Sequence, residues 1–333
     1  MTTQPLKPET IERLGRAVYP SLAMLTGMEL ELFTPLKDGP MSPNQLATTL
    51  NVDAAKLRPL LYSLVAAGLL QVSEEMFSNT PESQQFLVMG SPDYLGGRRV
   101  FFARRWSSLF KTSETIRTGV PQGKIDYSTM TDEQLEAYYR SIYNGTVASA
   151  KNLLARYDFS AYQNLVDVGG GSGALAITIA QACPGLQATV IDDPNVIPFT
   201  RRFIDEAAAS EQVKALAADV VEGPLPGTYD VAVLSALLPV LSPKQAKQTV
   251  LNVGDVIQPG GMVYIVDGGI LDDSRLSPDE VLANNLGYIN QFDQGEAHTE
   301  SERGRMLTDA GFTDIQRVFI PNEPGIMIAR KLG

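Results

Sequence analysis

A run of glycines behind an apolar segment is the first feature of the sequence that points to chemistry. Val166-Asp167-Val168 is followed directly by Gly169-Gly170-Gly171-Ser172-Gly173. Glycines at a point where a buried strand turns into a helix let a ligand approach the bare backbone. The spacing of Gly169, Gly171 and Ala174 also fits the dinucleotide pattern G-x-G-x-x-G/A, so a nicotinamide or flavin site is a rival interpretation, and a tight turn without a ligand is another.

Three aspartates follow successive β-rich runs and could serve one ligand. Asp167 precedes the glycines, where a carboxylate can hold the ammonium of an amino-acid ligand. Asp192 is placed to accept hydrogen bonds from both hydroxyls of a ribose, although dinucleotide enzymes also use an acid there. Asp219 can accept from an adenine amino group, with Val220 against the ring. Each acid alone is equally consistent with a helix cap or a loop, but their joint placement favours a ligand that contains all three groups.

The elements that must position these residues alternate between strand and helix from Leu165 onward. Strands are predicted at 165–168, 188–191, 213–216, 231–234 and 262–266. Parallel strands with helical crossovers form an open, doubly wound sheet that binds ligands at the carboxyl ends of its strands. The segments 315–319 and 325–329, joined by 320–324, predict an antiparallel hairpin at one edge. The predicted fold class is therefore α/β, with a Rossmann-like seven-stranded sheet.

The first half of the chain is predicted to be helical and contains a winged-helix pattern. Leu57, Leu61 and Leu64 recur with the spacing of one buried helix face, after a shorter helix. Gly68 ends this second helix, and the following residues to about position 77 predict a two-stranded wing. Such a module binds DNA or serves packing and dimerisation. The scarcity of cations on its second helix favours dimerisation.

Composition limits the function classes further. The length of 333 residues predicts two domains, and the net charge of −11 argues against nucleic acid as a partner. Cys183 is the only cysteine, so the chain has no internal disulfide framework. Because His298 is also the only histidine, no metal site is expected. No apolar run reaches the length of a membrane span, and the first eight residues lack the features of a secretory signal. These points predict a cytoplasmic protein that acts on a small molecule, without a membrane partner.

Taken together, the motifs resemble one family: the class I S-adenosylmethionine-dependent O-methyltransferases with an N-terminal winged-helix dimerisation domain, such as hydroxyindole, caffeate and polyketide O-methyltransferases. The resemblance spans nearly the whole chain. It is carried by Gly68-Leu69-Leu70, VDVGGGSG at 166–173, IDDPNVI at 191–197, Ala218-Asp219, Tyr229-Asp230, QPGG at 258–261 and HTESERGRMLTDAGF at 298–312. The resemblance implies S-adenosylmethionine as cofactor, a methyltransferase sheet, a small-molecule acceptor and a homodimer. It also implies a winged-helix dimerisation domain at 1–120, a helical linker at 121–156 that contributes to the substrate pocket, and a catalytic domain at 157–333.

The resemblance and the placement of the residues together give the site candidates. By the resemblance, Gly169, Gly171, Asp192 and Asp219 contact the cofactor, and Asp167, Val220 and Ser235 complete the candidates for cofactor binding. The candidates for acceptor binding are Tyr139, Tyr143, Tyr288, Asn290 and Gln291. His298 and Glu296 are the candidates for catalysis. Because Thr299 also fits the N-cap of the last helix, His298 can equally be a residue that simply precedes that helix.

One departure from the family concerns the general base. Related O-methyltransferases usually carry H-D-W-S-D-E after strand four, and its histidine removes the proton of the acceptor hydroxyl. Here residues 237–243 read LLPVLSP, and Pro239 stands in place of that histidine. Proline cannot accept a proton, and a general base typically contributes about 10² to 10⁴ in rate.

The missing base keeps several hypotheses open. Methyl transfer to a hydroxyl group is expected by resemblance, and transfer to carbon or nitrogen is an alternative. A second hypothesis is an enzyme of the same fold that binds S-adenosylmethionine without transferring its methyl group, as a pericyclase, decarboxylase or hydroxylase would. A third, from another class, is a winged-helix regulator that senses a ligand.

Overall fold

The computed structural model describes residues 6–127, 129–319 and 325–333. The chain divides into two compact units, one ending at Ala103 and one comprising Arg104–Gly333. Helix α6 (Arg99–Leu109) contains the division. The functional boundaries predicted at residues 120 and 156 stay predictions. In the described part of the chain, no helix combines the length and the apolar character of a membrane span.

The first unit is helical and carries one small hairpin. Its elements before α6 are α1 (Glu9–Arg16), α2 (Val18–Glu29), α3 (Pro43–Leu50), α4 (Ala54–Ala66), strands β1 (Leu70–Ser73) and β2 (Met76–Asn79), and α5 (Pro81–Phe86). Ser42 and Asp53 accept hydrogen bonds from backbone N–H groups of the first turns of α3 and α4, which separates the two helices. Leu57, Leu61 and Leu64 are buried, and β1 pairs with β2 in antiparallel fashion. The predicted winged-helix pattern is confirmed.

The second unit alternates helices and strands. Its helices are α7 (Thr112–Thr118), α8 (Asp132–Leu154), α9 (Ala174–Ala182), α10 (Ile197–Glu206), α11 (Pro243–Val256), α12 (Asp279–Gln291) and α13 (Glu300–Asp309). Its strands are β3 (Asn164–Val168), β4 (Gln187–Asp192), β5 (Val213–Ala217), β6 (Tyr229–Ser235), β7 (Ile257–Asp267), β8 (Ile270–Leu271), β9 (His298–Thr299), β10 (Phe312–Val318) and β11 (Gly325–Lys331). Thr131 and Thr299 form capping boxes at the starts of α8 and α13.

Seven of these strands form one sheet in the order β10-β11-β7-β6-β3-β4-β5. The five strands from β7 to β5 are parallel, and β11 is antiparallel to both of its neighbours. The prediction of a seven-stranded, mostly parallel sheet is confirmed. The C-terminal hairpin begins at Phe312, earlier than the predicted start at 315. The predicted connection 320–324 lies outside the described residues.

Both faces of the sheet are buried. Leu165 and Val190 belong to one apolar cluster, whereas Val166, Val168 and Ile191 belong to a second cluster on the opposite face. Successive side chains of a strand point to opposite faces, so a near-continuous apolar run satisfies both clusters. The polar residues of the central strands therefore collect where the strands end.

Candidate active site

A cavity of about 310 Å³ lies at the C-terminal ends of β3, β4, β5 and β6. Open α/β sheets bind ligands at this edge. The lining includes all seven residues predicted to bind the cofactor: Asp167, Gly169, Gly171, Asp192, Asp219, Val220 and Ser235. The fold thus brings together residues that are up to 68 positions apart in the sequence, from 167 to 235.

The glycine loop closes one side of the cavity and is packed tightly. Gly169 and Gly171 have φ angles of +67° and +56°, in the left-handed region that favours glycine. A Cβ atom at Gly169 would lie 2.8 Å from Cδ1 of Leu237, and one at Gly171 would lie 2.7 Å from Cε1 of Tyr139. Both the backbone conformation and the space therefore require glycine, and the loop presents its backbone to the cavity.

Asp167 lines the cavity as a carboxylate without a partner. Its side chain is 0% exposed, and neither carboxylate oxygen has a hydrogen-bond partner among the described residues. Burial raises the pKa of Asp167 to about 7, opposed by the nearby backbone N–H of Ala176 and assisted by the charge of Asp192. A cationic group beside this carboxylate would relieve the cost of burying it.

Asp192 braces the glycine loop from the end of β4. Its Oδ2 accepts a hydrogen bond from the backbone N–H of Gly171 at 2.7 Å, and its Oδ1 accepts one from the N–H of Asp193 at 2.7 Å. Burial raises the pKa of Asp192 to about 6, although the two backbone bonds oppose that shift. A carboxylate offers about four lone-pair positions. Asp192 therefore has free lone pairs for the predicted contacts with ribose hydroxyls. It also holds the glycine loop in place, a structural role that the sequence did not suggest.

Asp219 and Val220 form a fixed turn after β5. Oδ1 of Asp219 accepts from the backbone N–H groups of Val221 at 2.8 Å and Glu222 at 3.0 Å. The amide group of Asn252 donates to the carbonyl oxygen of Val220 at 3.0 Å. Asp219 is exposed and Val220 is half-buried, so this wall of the cavity combines a polar edge with an apolar surface.

Helix α8 and the segment before it supply an aromatic wall, and the sequence analysis identified only one of its members. Tyr139 lines the cavity together with Tyr127 and Tyr138. The rings of Tyr127 and Tyr139 stack at 6.3 Å and 16°, and the rings of Tyr138 and Tyr139 meet edge to face at 5.3 Å. The helical spacing of Tyr139, Ile142 and Thr146, which all line the cavity, was a signal available in the sequence.

The segment in which relatives carry a general base forms an apolar wall. Leu237, Val240 and Leu241 line the cavity, whereas Pro239 is buried and does not line it. Pro239 packs so closely on Gly269 that a Cβ atom there would lie 2.4 Å from its Cγ. Among the described residues that line the cavity, the side chains that ionise as acids are those of aspartates and tyrosines.

The two residues predicted to be catalytic do not line this cavity. His298 is 2% exposed, and its backbone N–H donates to the carbonyl oxygen of Gly269 at 3.0 Å. Neither ring nitrogen has a hydrogen-bond partner among the described residues. Burial, followed by the nearby charge of Arg303, lowers the pKa of His298 to about 4, which makes the imidazole a weak base. Glu296 is half-buried two residues earlier.

Four of the five acceptor candidates also lie outside the lining of this cavity. Tyr143 stacks on Phe203 at 5.1 Å, and Tyr288 lies beside the guanidinium of Arg105, 5.8 Å from its ring centre. Asn290 accepts from the hydroxyl of Thr115 at 2.7 Å, whereas Gln291 accepts a backbone bond from Ile125. The side chain of Asn290 and the backbone carbonyl of Gln291 therefore hold α12 against neighbouring segments. A role of these four residues in acceptor binding stays a prediction.

Comparison with known proteins identifies the family. A model of the O-methyltransferase dimerisation domain matches residues 14–89, and a model of the O-methyltransferase domain matches residues 117–313. The tetracenomycin polyketide synthesis 8-O-methyl transferase TcmO of Streptomyces glaucescens is 30% identical over 332 residues, which cover 97% of both chains. The N,N-dimethyltransferase OxyT of Streptomyces rimosus is 28% identical over 97% of this chain and 96% of its own.

A solved structure agrees with this assignment at the level of the fold. Human N-acetylserotonin methyltransferase, solved in complex with S-adenosylmethionine, has a TM-score of 0.85 to this chain at 20% identity and covers 100% of both chains. The chain therefore belongs to the O-methyltransferase family and is an S-adenosylmethionine-dependent methyltransferase.

Proposed function

We propose that the enzyme methylates a hydroxyl group of a small aromatic acceptor of the natural-product kind. The similarity to TcmO along 97% of both chains supports this acceptor class, since TcmO is described as a polyketide 8-O-methyl transferase. The observation that carries the proposal is the cavity that joins the buried, unpartnered Asp167 to the glycine loop and Asp192. These observations do not support the two alternative hypotheses, which were a winged-helix regulator and an enzyme that binds S-adenosylmethionine without transferring its methyl group.

The lining residues fit S-adenosylmethionine. The buried carboxylate of Asp167 suits an ammonium group, the free positions of Asp192 suit a ribose, and the turn at Asp219 and Val220 suits an adenine. Ser235, half-buried at the end of β6, borders the same space. When bound, the cofactor would supply an activated methyl group: the acceptor oxygen would bond to the methyl carbon as the carbon–sulfur bond breaks, and the electron pair of that bond would stay on sulfur. The proton of the acceptor hydroxyl would have passed to bulk water before binding.

The chain itself contributes orientation and the exclusion of water. Fixing two reactants in contact can supply up to about 7–11 kcal/mol of the barrier reduction. The apolar wall of Leu237, Val240 and Leu241 keeps water from the reacting atoms. Because Pro239 replaces the usual base, we propose that the favoured acceptor is an acidic phenol or enol, which reaches the site already ionised. The roles predicted for His298 and Glu296 stay predictions.

A panel of acceptors tests the proposal. Hydroxylated aromatics, carbon nucleophiles and aromatic amines would each be incubated with methyl-labelled S-adenosylmethionine, and labelled product and S-adenosylhomocysteine would be measured together. We expect equal amounts of both products, with acidic phenols reacting first. A preference for amines would move the proposal towards nitrogen, the atom class named for OxyT. Product that forms without S-adenosylhomocysteine would contradict methyl transfer.

We also propose that the enzyme is a homodimer through residues 1–120, consistent with the matched dimerisation domain. An apolar stripe on α1 and α2 supports this, since Ile11, Leu14, Val18 and Leu22 recur every three or four residues and remain exposed. Replacing both Ile11 and Leu14 with Glu should shift the mass measured by light scattering from dimer to monomer. An unchanged dimer would exclude this stripe from the interface.

A further inference from the structure

We propose that Tyr139, packed against Tyr127 and Tyr138, forms an aromatic face that binds the positively charged sulfonium and so makes the site prefer S-adenosylmethionine over the product S-adenosylhomocysteine. This inference rests on the donor site of the proposed function. It gives Tyr139, which the sequence suggested as an acceptor contact, a role in choosing between the two forms of the cofactor.

The position of Tyr139 places it between the residues that suit the two ends of the donor. Its ring packs directly on Gly171, and a Cβ atom at that glycine would lie 2.7 Å from Cε1 of Tyr139. Asp167 and Asp192, which suit the ammonium and the ribose, lie on the same loop or are bonded to it. In S-adenosylmethionine the sulfur joins the amino-acid part to the ribose. A sulfonium held between the groups that suit the ammonium and the ribose would therefore lie near Tyr139.

The ring is held in one orientation. Tyr139 is 5% exposed, with Tyr127 stacked at 16° and Tyr138 at 73° to its plane. The hydroxyl of Tyr127 donates to the hydroxyl of Tyr138 at 3.4 Å, which joins the two supporting rings. A cation over the face of such a desolvated ring is stabilised more strongly than one at an exposed site.

The charge of the cavity acts in the same direction. Four carboxyl groups line it, from Asp167, Asp192, Asp193 and Asp219, and no lysine, arginine or histidine is found among its described lining residues. Transfer of the methyl group converts a sulfonium into a neutral thioether and so lowers the charge of the bound molecule by one. A cavity built from carboxylates and ring faces loses attraction for the product, and this promotes its release.

Binding measurements without any acceptor test the inference. Isothermal titration would compare three probes: S-adenosylmethionine, S-adenosylhomocysteine, and sinefungin, which carries a protonated amine near the position of the methyl group. For the unaltered enzyme we expect the two cationic probes to bind about tenfold more tightly than S-adenosylhomocysteine. Tyr139→Leu should weaken the cationic probes about tenfold and change the affinity for S-adenosylhomocysteine less than twofold. Tyr139→Phe keeps the ring and should keep the preference.

A control and three outcomes separate the possibilities. Tyr157→Leu removes a ring that packs on Tyr264 outside the cavity and should leave all three affinities unchanged. Equal affinities of the unaltered enzyme for S-adenosylmethionine and S-adenosylhomocysteine would overturn the inference, even if the Leu variant does not fold. If Tyr139→Leu weakened the binding of all three probes equally, the ring would serve only to pack the cavity wall, and the inference would be wrong. Failure of every probe to bind the unaltered enzyme would instead contradict the proposed function.

Discussion

Asp167 and Asp267 lie near the C-terminal ends of β3 and β7, on either side of β6, and both are buried, yet their surroundings differ completely. The oxygens of Asp267 accept from the two terminal nitrogens of Arg303 at 2.7 and 3.0 Å, and both side chains are 0% exposed. Asp167 has no such partner among the described residues. A buried acid that is paired within the chain fixes the fold, whereas an unpaired one at a cavity is suited to a ligand.

The largest effect should come from breaking the pair. Replacing Arg303 with Ala leaves the Asp267 carboxylate buried and uncompensated, which should lower the free energy of unfolding by about 3–5 kcal/mol in urea titrations. Arg305→Ala, on the exposed face of the same helix, should change it by less than about 0.5 kcal/mol. If Arg303→Ala lowered the free energy of unfolding by less than about 1 kcal/mol, the ion pair of Asp267 would not be the stabilising contact that distinguishes it from Asp167.

Removing the unpaired acid should affect binding instead. Asp167→Asn keeps the shape of the side chain but removes the charge that suits the ammonium, so the affinity for S-adenosylmethionine measured by calorimetry should fall about 100-fold. Asp158→Asn provides a matched control, because Asp158 accepts from Ser160 and does not line the cavity. An unchanged affinity in Asp167→Asn would remove Asp167 from the donor site.

Asp192 combines both kinds of role and should give an intermediate effect. Asp192→Ala removes the predicted ribose contact and the bond to the N–H of Gly171, so we expect S-adenosylmethionine to bind about 20-fold more weakly. Asp192→Asn retains one oxygen acceptor and should lose less. Identical affinities for the Ala variant and the unaltered enzyme would leave Asp192 with its structural role alone.

The pKa values predict a pH dependence of cofactor binding that Asp167 should dominate between pH 6 and 8. With a pKa of about 7, Asp167 is mostly charged at pH 8 and mostly neutral at pH 6, so the affinity for S-adenosylmethionine should fall about tenfold over this range. Asp192, with a pKa of about 6, should add a further loss below pH 6. Asp167→Asn should flatten the dependence between pH 6 and 8. A profile that is equally steep in this variant would assign the titration to another group.

The raised pKa of Asp167 also determines how the stability of the protein without a ligand changes with pH. The folded protein raises the pKa of Asp167 from 3.8 to about 7, so its favourable contribution is complete below about pH 4 and is lost as the pH rises through 7. The melting temperature of Asp167→Asn should therefore exceed that of the unaltered protein at pH 8 and approach it at low pH.

The smallest effect should come from His298. Its ring lies outside the donor cavity and its pKa is about 4, so His298→Ala should leave S-adenosylmethionine binding unchanged and lower kcat by less than about tenfold. The shape of the pH–rate profile should stay the same. A fall of 10² to 10⁴ in kcat with unchanged cofactor binding would establish the predicted role of His298 as the base.

Local sequence patterns were sufficient to predict most of the fold. Thr131 with Gln134 and Thr299 with Glu302 form capping boxes at the starts of α8 and α13, and the sequence analysis had already identified Thr299 as a possible N-cap. The glycine loop and the acids after β4 and β5 were also evident, because turn chemistry and strand ends are encoded within a few residues. These signals were enough to predict residues that the structure places around one cavity.

Contacts between residues that lie far apart in the sequence could not be predicted from local patterns. Asn290 is polar and close to the predicted acceptor segment, but its amide is used to hold α12 through Thr115 and Thr112. Tyr127, which precedes α8, joins the aromatic wall only because the chain folds back onto that helix. No local pattern distinguishes a polar residue that binds a ligand from one that binds another helix.

The sequence by itself determined the fold class and the glycine loop, because both follow from periodicity, strand ends and glycine positions that act over short distances. The cofactor came from the resemblance of the combined motifs to one methyltransferase family. Only the tertiary structure decided which buried acid is paired and which is not. Arg303 lies 36 residues after Asp267 in the sequence, and it reaches the carboxylate because α13 packs beside the end of β7. Asp167 has no such neighbour among the described residues. The charge of a buried group is decided by the side chains that the fold brings to it.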